Sequence, residues 1–564
     1  MAEQRVLTAE EMAKTMREVS VAEFFEKNRH LLGYENTTKA LITIIKELVD
    51  NSLDACDEAG ILPDIKVQIK EVGPDRFRIS NEDNGPGVVA EKVPFAFGSL
   101  LYGSKFHRLR QSRGTQGIGV SGAILYSQLT AGKHAKVSAS TGKALHDFEI
   151  GIDVAKNQPH VFSHKEQKNP DNWHGIRIEM EAEGRYIEGK QSVAEYLKQT
   201  AIANPHAKIV YDGPNGKINF DRVLKEVPKQ PKEIRPHPYG IELGILRRML
   251  AGTKARNVVG FLTSEFSRVG KGSAEQICKL AKIEFSRKAQ SLTHEESERL
   301  HKAMQMVKLI APPTDVLSPM GEHVITEGLK KELKADFYVA ISRSPTVYRG
   351  YPFQVEVGIA YGGELQQEGT AQLFRFGNKV PLLYHQSDCA TASAATEVNW
   401  RSYGLSQSGG GLPQGPVAIL IHFASVWVPF TSEGKQAIAE YPEIVKEIKL
   451  ALQDAGRKLS HFVNQRRRAQ AQAMRRQIFE RYMPVVAESL SKLTKRDEKT
   501  ILKKFEDVIK KRAAIMAEAE KSEEENKEGK EDVGEVIGES MVEVEEGNEE
   551  KNEKDKEKKK GEEE

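Results

Sequence analysis

The sequence predicts a multidomain α+β protein, on three observations. The chain runs to 564 residues, more than one hydrophobic core usually organises; helical and strand periodicities alternate along it; and proline-rich breaks set a purely helical stretch between two mixed ones. Hydrophobic residues make up 39%, enough for packed cores, and 29% of the chain is charged.

Residues 1–20 are polar and read as an N-terminal arm. A helical pattern starts near Thr37 and runs through Ala40, Leu41, Ile44, Ile45, Leu48 and Val49. Strand-like runs follow at Ile65–Ile69 and Arg76–Ile79, then a Gly/Ser-rich stretch from Gly98 to Gly122, then strands around Ala135–Ser140 and Gly175–Met180. Residues 21–230 therefore form one α+β domain. Pro228, Pro231, Pro236 and Pro238 remove backbone donors and mark its end. Residues 231–313 make a helical module, its short helices (240–307) separated at Gly252-Thr253 and Gly270-Lys271-Gly272 and closed by Pro312-Pro313. A second α+β domain occupies 314–465, with strands such as Phe337–Ile341 and Val417–Phe423 and a loop at Gly409-Gly410-Gly411. A long helical pattern over 432–482 carries the basic run Gln465–Gln477, and a further helix is expected near Asp497–Lys511, so that 466–516 reads as a C-terminal stalk.

The net charge of +2 hides an asymmetry: residues 518–564 hold 21 Asp and Glu against 9 Lys, leaving the rest of the chain basic. That tail, 517–564, is too charged to bury a core and is expected to be disordered. The basic body permits a nucleic-acid partner without requiring one. Cys56, Cys278 and Cys389 are too few and too widely spaced for a disulfide framework or a cysteine-based zinc site, which suits a reducing compartment. The apolar run Pro416–Phe430, broken by His422 and Ser425, is too short to span a bilayer, so a soluble cytoplasmic protein is expected.

Three short segments carry candidate chemistry. Glu47, Asn51 and Asp54 fall at i, i+4 and i+7, on one stripe of the helix that begins near Thr37. A carboxylate there can take a proton from an attacking water, and a carboxamide one turn on can offer an oxygen to magnesium; alone, such a stripe is more often a solvated face. Asp83-Asn84-Gly85-Pro86-Gly87 follows the strand Arg76–Ile79. Asp83 can accept a hydrogen bond from an exocyclic amine such as that of adenine, and Gly85 and Gly87 let the backbone approach a flat ring. Gly114-Thr115-Gln116-Gly117-Ile118-Gly119-Val120 leads into a helical pattern ending near Leu129, with Ser104 and Lys105 upstream. Successive main-chain N–H groups at a helix start suit a phosphate chain.

Taken in this order within 75 residues, the three segments resemble the motif set of GHKL ATPases, the superfamily of DNA gyrase, mismatch-repair proteins, heat-shock chaperones and histidine kinases. To about residue 480 the chain resembles more narrowly the B-subunit family of type IIB DNA topoisomerases, because a helical module stands between the two α+β domains. The resemblance implies a GHKL (Bergerat) ATPase α/β sandwich, a helix-two-turns-helix domain and an α/β transducer with a long stalk helix. It implies ATP and Mg2+ as ligands, Glu47 as general base, Asn51 on the metal, Asp83 on adenine, and Ser104, Lys105 and Gly114–Val120 around the phosphates. Many superfamily members carry threonine at the position of Ile176, which cannot donate a side-chain bond near the base; a neighbouring residue or a water would replace it.

Thr431-Ser432-Glu433-Gly434-Lys435 is expected to begin a helix, where a cation opposes the helix dipole. Read alone, Lys435 is as easily a solvated surface residue; its position matches the family's transducer lysine, which would contact the terminal phosphate. Trp400-Arg401-Ser402-Tyr403 resembles a DNA-sensing motif of the family, with Arg401 where lysine is usual, so Trp400, Arg401 and Tyr403 are candidate DNA contacts. The sequence contains no Asp-x-Asp pair for a cleavage metal. The resemblance implies that DNA cleavage comes from a separate A subunit carrying the nucleophilic tyrosine in an A2B2 heterotetramer, with duplex DNA as a further partner, and that this chain dimerises on binding ATP.

Overall fold

The computed structural model describes residues 9–13, 17–105, 108–114, 116–432, 434–495, 497 and 499–508. The described residues up to Asn464 form one compact unit and those from Gln465 on belong to another.

The first part of the larger unit is an eight-stranded sheet with helices on one face. Two short helices, α1 (Ala9–Ala13) and α2 (Val21–Lys27), precede α3 (Thr37–Ala59). Asn36 caps α3 by accepting from the Lys39 N–H, and Gly60 ends it in the left-handed conformation. Then come β1 (Asp64–Gly73), β2 (Arg76–Glu82), α4 (Val93–Gly98), α5 (Gly119–Ala131), β3 (Ala135–Thr141), β4 (Ala144–Asp153), β5 (Gln158–Lys168), β6 (His174–Glu183), α6 (Val193–Ala203), β7 (Lys208–Gly213) and β8 (Gly216–Phe220). The strand order is β5-β4-β3-β6-β2-β1-β7-β8, antiparallel except for β1 beside β7. Ile65, Val67 and Ile69 of β1 point into the core while Lys66 and Lys70 point out, as alternation requires. The buried face packs against Leu41, Ile44, Ile45 and Leu48 of α3 and Ile124 of α5.

The segment after β8 is irregular to His237, and Ile234 in it packs with Val316, Leu317 and Val426. Four helices follow, α7 (Leu243–Gly252), α8 (Val258–Glu265), α9 (Lys271–Ala281) and α10 (His294–Met306), around a core of their own that includes Leu246, Phe261, Ile277 and Leu300. Helix α7 ends at Gly252 and Gly270 caps α9, at the two glycine breaks expected from the sequence.

The remainder is α11 (Glu322–Glu332), β9 (Phe337–Ser342), β10 (Thr346–Tyr348), β11 (Tyr351–Tyr361), β12 (Gln372–Gly377), β13 (Val380–Pro381), α12 (Ala390–Glu397), β14 (Ser406–Gln407), β15 (Pro413–Gln414), β16 (Val417–Ser425) and α13 (Pro442–Thr494). Strand β16 is buried along its whole length, because helices cover both faces of this sheet. Ala418 and Leu420 face α11, while Ile419, Ile421 and Phe423 face α12 and the first half of α13. Gly328 of α11 lies so close to the carbonyl of Ile202 in α6 that a Cβ would fall 2.1 Å from that oxygen, which brings the two α+β parts into direct contact.

Two expectations are corrected. The long helix begins at Pro442, not near residue 432, and it continues through Pro484 to Thr494. Residues 431–439 instead fold back on themselves: Thr431 N–H donates to the Ala437 carbonyl, Ala439 N–H to that of Pro429, and Phe430 and Ile438 form an antiparallel bridge. The acidic tail and most of the N-terminal arm lie outside the described residues. Among the described residues no helix is long and apolar enough to cross a membrane.

Candidate nucleotide site

A cavity of about 650 Å³ opens between α3, the segment after β2, the 102–120 loop and the 431–439 loop. Its volume lies within the usual range for small-ligand sites. Glu47, Asn51, Asp83, Gly87, Ser104, Lys105, Gly114, Gln116, Gly117, Ile118, Gly119, Val120 and Lys435 all line it. Sequence-distant residues thus converge, because α3 turns its apolar side into the sheet and leaves the Glu47 stripe facing out.

One end suits a base. Asp83 is buried; its Oδ2 accepts from the Ser52 hydroxyl at 2.7 Å, and its Oδ1 accepts from the N–H groups of Gly85 at 2.9 Å and Ile176 at 3.2 Å. Burial raises the Asp83 carboxyl above its ordinary value against these donors. Two carboxylate oxygens offer about four acceptor positions, so Asp83 keeps capacity for a ligand amine. Ile176 offers no side-chain bond here; the side-chain donor on Asp83 is Ser52 of α3, and Ile176 contributes its main-chain N–H. Gly175 is required where it stands: its φ is +137°, and a Cβ there would fall 2.0 Å from the Asp83 carbonyl oxygen. Ile176, Ile178 and Phe97 add apolar wall. Gly85 itself does not line the cavity; it serves by donating to Asp83.

The other end suits phosphates. A Cβ on Gly119, the first residue of α5, would fall 1.9 Å from Glu47 Oε2, so with glycine there the helix start sits directly against the Glu47 carboxylate, which a larger residue would push aside. Gly114 lies beside the Lys435 ammonium, 3.8 Å from where its Cβ would be. Lys435 does not begin a helix, the reading the sequence suggested. It sits in a turn, its N–H bonded to the Ser432 carbonyl, with φ +51°. The loop's internal bonds use the groups a helix start would need, and they carry the ammonium into the cavity rather than along a helix axis. Asn51 is exposed to the cavity. Thr115 lies outside the described residues.

Asp54 sits behind the cavity wall rather than on it. Its carboxylate pairs with Lys105 Nζ at 2.7 Å and with Arg113 at 2.8 Å. Arg113, buried, also reaches Asp57 at 2.9 Å and Asn204 Oδ1 at 2.5 Å, and Asp57 holds His206 at 2.9 Å. Burial works against all these charges, but the pairing wins: Asp54 and Asp57 are held below the ordinary carboxylate range and Arg113 above its own. Sequence reasoning missed Arg113, Ser52 and Tyr34. Arg113 carried one signal, its place immediately before the glycine loop.

The residues present fit a nucleotide. The cavity is acidic at one end and cationic at the other, and among the described residues the buried Tyr34 hydroxyl and Asn81 Oδ1 in its wall have no protein partner.

The tentative DNA-contact turn is arranged differently. Trp400 is fully buried and its indole donates to the Ala395 carbonyl at 2.8 Å. Tyr403 is half-buried against Gly456 of α13. Arg401 is exposed, its guanidinium bonded to the Gln407 carbonyl.

Comparison with known proteins agrees with this geometry. Residues 36–156 match the model of the histidine kinase-, DNA gyrase B- and HSP90-like ATPases, the GHKL class, and most of the cavity wall lies within them. Residues 312–475 match the topoisomerase VI B subunit transducer. The chain is 47% identical over 493 residues to the B subunit of type 2 DNA topoisomerase 6 from Methanococcoides burtonii, covering 87% of this chain and 79% of that one. It is 40% identical over 555 residues to the protein of the same name from Pyrococcus horikoshii, covering 90% and 97%. The chain belongs to the topoisomerase VI B subunit family and is an ATP-hydrolysing subunit of a type IIB topoisomerase.

Proposed function

We propose that this chain is the ATP-operated gate of a DNA strand-passage enzyme, and that Glu47 is its general base. The observation that carries the reading is the composition of the cavity wall: Glu47 and the glycine loop come from one α+β part, and Lys435 from the other. A ligand bridging the two would tie its own presence to the orientation of the transducer sheet.

In this reading Asp83 and Ser52 receive the adenine, and Ser104, Lys105 and the Gly114–Val120 main chain hold the triphosphate. Glu47 takes the proton of the attacking water, and Lys435 contacts the terminal phosphate. Asn51 supplies a side-chain oxygen to Mg2+, whose charge would help neutralise the phosphate oxygens. Lys105, now paired with Asp54, would exchange that partner for phosphate, leaving Asp54 to Arg113.

Binding closes two copies around a DNA segment; hydrolysis reopens them. An A subunit carrying the cleaving tyrosine docks on the C-terminal helical region in an A2B2 assembly, and α7–α10 is the helix-two-turns-helix domain, 231–313, between ATPase (21–230) and transducer (314–465). Arg401 is the member of the Trp400-Arg401-Tyr403 set available to a duplex backbone; Trp400 and Tyr403 act by holding the turn that presents it.

The test is relaxation of supercoiled plasmid by this chain mixed with a tyrosine-bearing A subunit. ATP-dependent relaxation is expected, with a shift to dimer in size-exclusion chromatography on a non-hydrolysable analogue. A clamp of the mismatch-repair or chaperone type would dimerise but relax no DNA with any partner.

A further inference from the structure

Lys46 immediately precedes the proposed base, is buried, and serves neither the apolar core nor the nucleotide wall. Its Nζ donates to the main-chain carbonyl of Gly434 at 2.7 Å, across 388 residues of chain. We infer that Lys46 is a positioning residue for ATP hydrolysis: by holding the Gly434 carbonyl it seats the loop that carries Lys435 into the cavity. The inference rests on the reading of Lys435 as a phosphate contact.

A buried ammonium is expensive unless bonded, and a methionine of similar length would fill the same space without the charge. The bond Lys46 makes fixes the main chain one residue before Lys435. Lys435 itself adopts φ +51°, a conformation that side-chain-bearing residues rarely hold unless their surroundings impose it. With the carbonyl at 434 held by Lys46 of α3, the next residue places its ammonium beside Gly114.

Charge bookkeeping points the same way. Asp50 lies one helical turn beyond Lys46 and is buried, its Oδ1 accepting from the Tyr196 hydroxyl at 3.0 Å, while Oδ2 has no hydrogen-bond partner among the described residues. Burial pushes Asp50 up to about 6, and Lys435 is the strongest of the charges opposing that rise. Burial pulls Lys46 down to about 8, and repulsion from Lys435 is the next cause. Two ammonium groups, Lys46 and Lys435, thus face two carboxylates, Asp50 and Glu47, at the edge of the phosphate end. Phosphates arriving at Lys435 would offset its repulsion of Lys46, so nucleotide and the Lys46 bond favour the same loop position.

Steady-state ATP hydrolysis by the full chain tests this, using Lys46→Met, Lys46→Arg, Lys435→Ala and the double variant Lys46→Met/Lys435→Ala, each with its thermal melt. Lys46→Met is expected to lower kcat about tenfold while KM for ATP changes less than about threefold. Lys46→Arg, which keeps a charged donor, recovers most of the loss. The double variant should be no slower than Lys435→Ala alone, because Lys46 acts through Lys435; a merely structural lysine would give losses that multiply. Multiplying losses, or a wild-type kcat in Lys46→Met, overturns the inference while leaving the role of Lys435 intact. A wild-type kcat in Lys435→Ala refutes that role, and the inference falls with it. Should Lys46→Met fail to fold, Lys46→Gln carries the same kcat comparison.

Discussion

The cavity wall and the junction behind it are built from the same residue types, yet their charges are handled in opposite ways. Behind the wall, Asp54, Asp57, Arg113 and His206 pair with one another, with Lys105 also on Asp54 and Asn204 on Arg113, although Arg113 Nε has no hydrogen-bond partner among the described residues. Further into the second α+β part, Glu356 accepts from His422 and from the Met320 and Gly321 N–H groups, fully buried. In the wall, Tyr34 and Asn81 present polar atoms without protein partners, and Asp83 retains an acceptor position. Charges paired with opposite charges fix a framework; unpaired polar atoms facing a cavity are held ready for something that arrives.

Opening the junction should be the most damaging change. Arg113→Met leaves Asp54 and Asp57 buried with their shared cation removed, and a loss of about 3–5 kcal/mol of stability is expected in chemical denaturation. If Arg113→Met instead left stability unchanged and only slowed hydrolysis, Arg113 would belong to the wall and the contrast would dissolve. A change in the wall should do the reverse. Ser52→Ala removes one hydroxyl from Asp83 and is expected to weaken ATP binding about tenfold in calorimetry, the worth of a hydrogen bond to a charged group, with a thermal midpoint close to wild type.

The same contrast explains what the sequence revealed. Glu47, Asn51 and Asp83 are legible because each belongs to a local pattern, a helical stripe or a strand-end turn, whose geometry needs no distant partner. Asp54 shares the stripe and was grouped with them, but Lys105 and Arg113 claim it from the loop, which periodicity does not encode. Lys435 was legible in identity and misread in setting: the bonds between 429 and 439 that keep it out of a helix, and the bond from Lys46, join residues no short window spans together. Trp400 shows the converse. An aromatic beside a cation and glycines reads as a contact surface, yet a large ring next to the alanine-rich α12 is worth more in the core. Strand β5 is not legible in the sequence because it is an edge strand exposed on both faces, so its residues carry no apolar–polar alternation.

The most direct test of the account is paired binding and turnover by Glu47→Gln. The substitution keeps size and hydrogen-bonding capacity while removing the base, so ATP affinity in the presence of Mg2+ should stay within about twofold of wild type as hydrolysis falls roughly 10²–10⁴-fold. A Glu47→Gln chain that binds ATP and turns it over at the wild-type rate would contradict it.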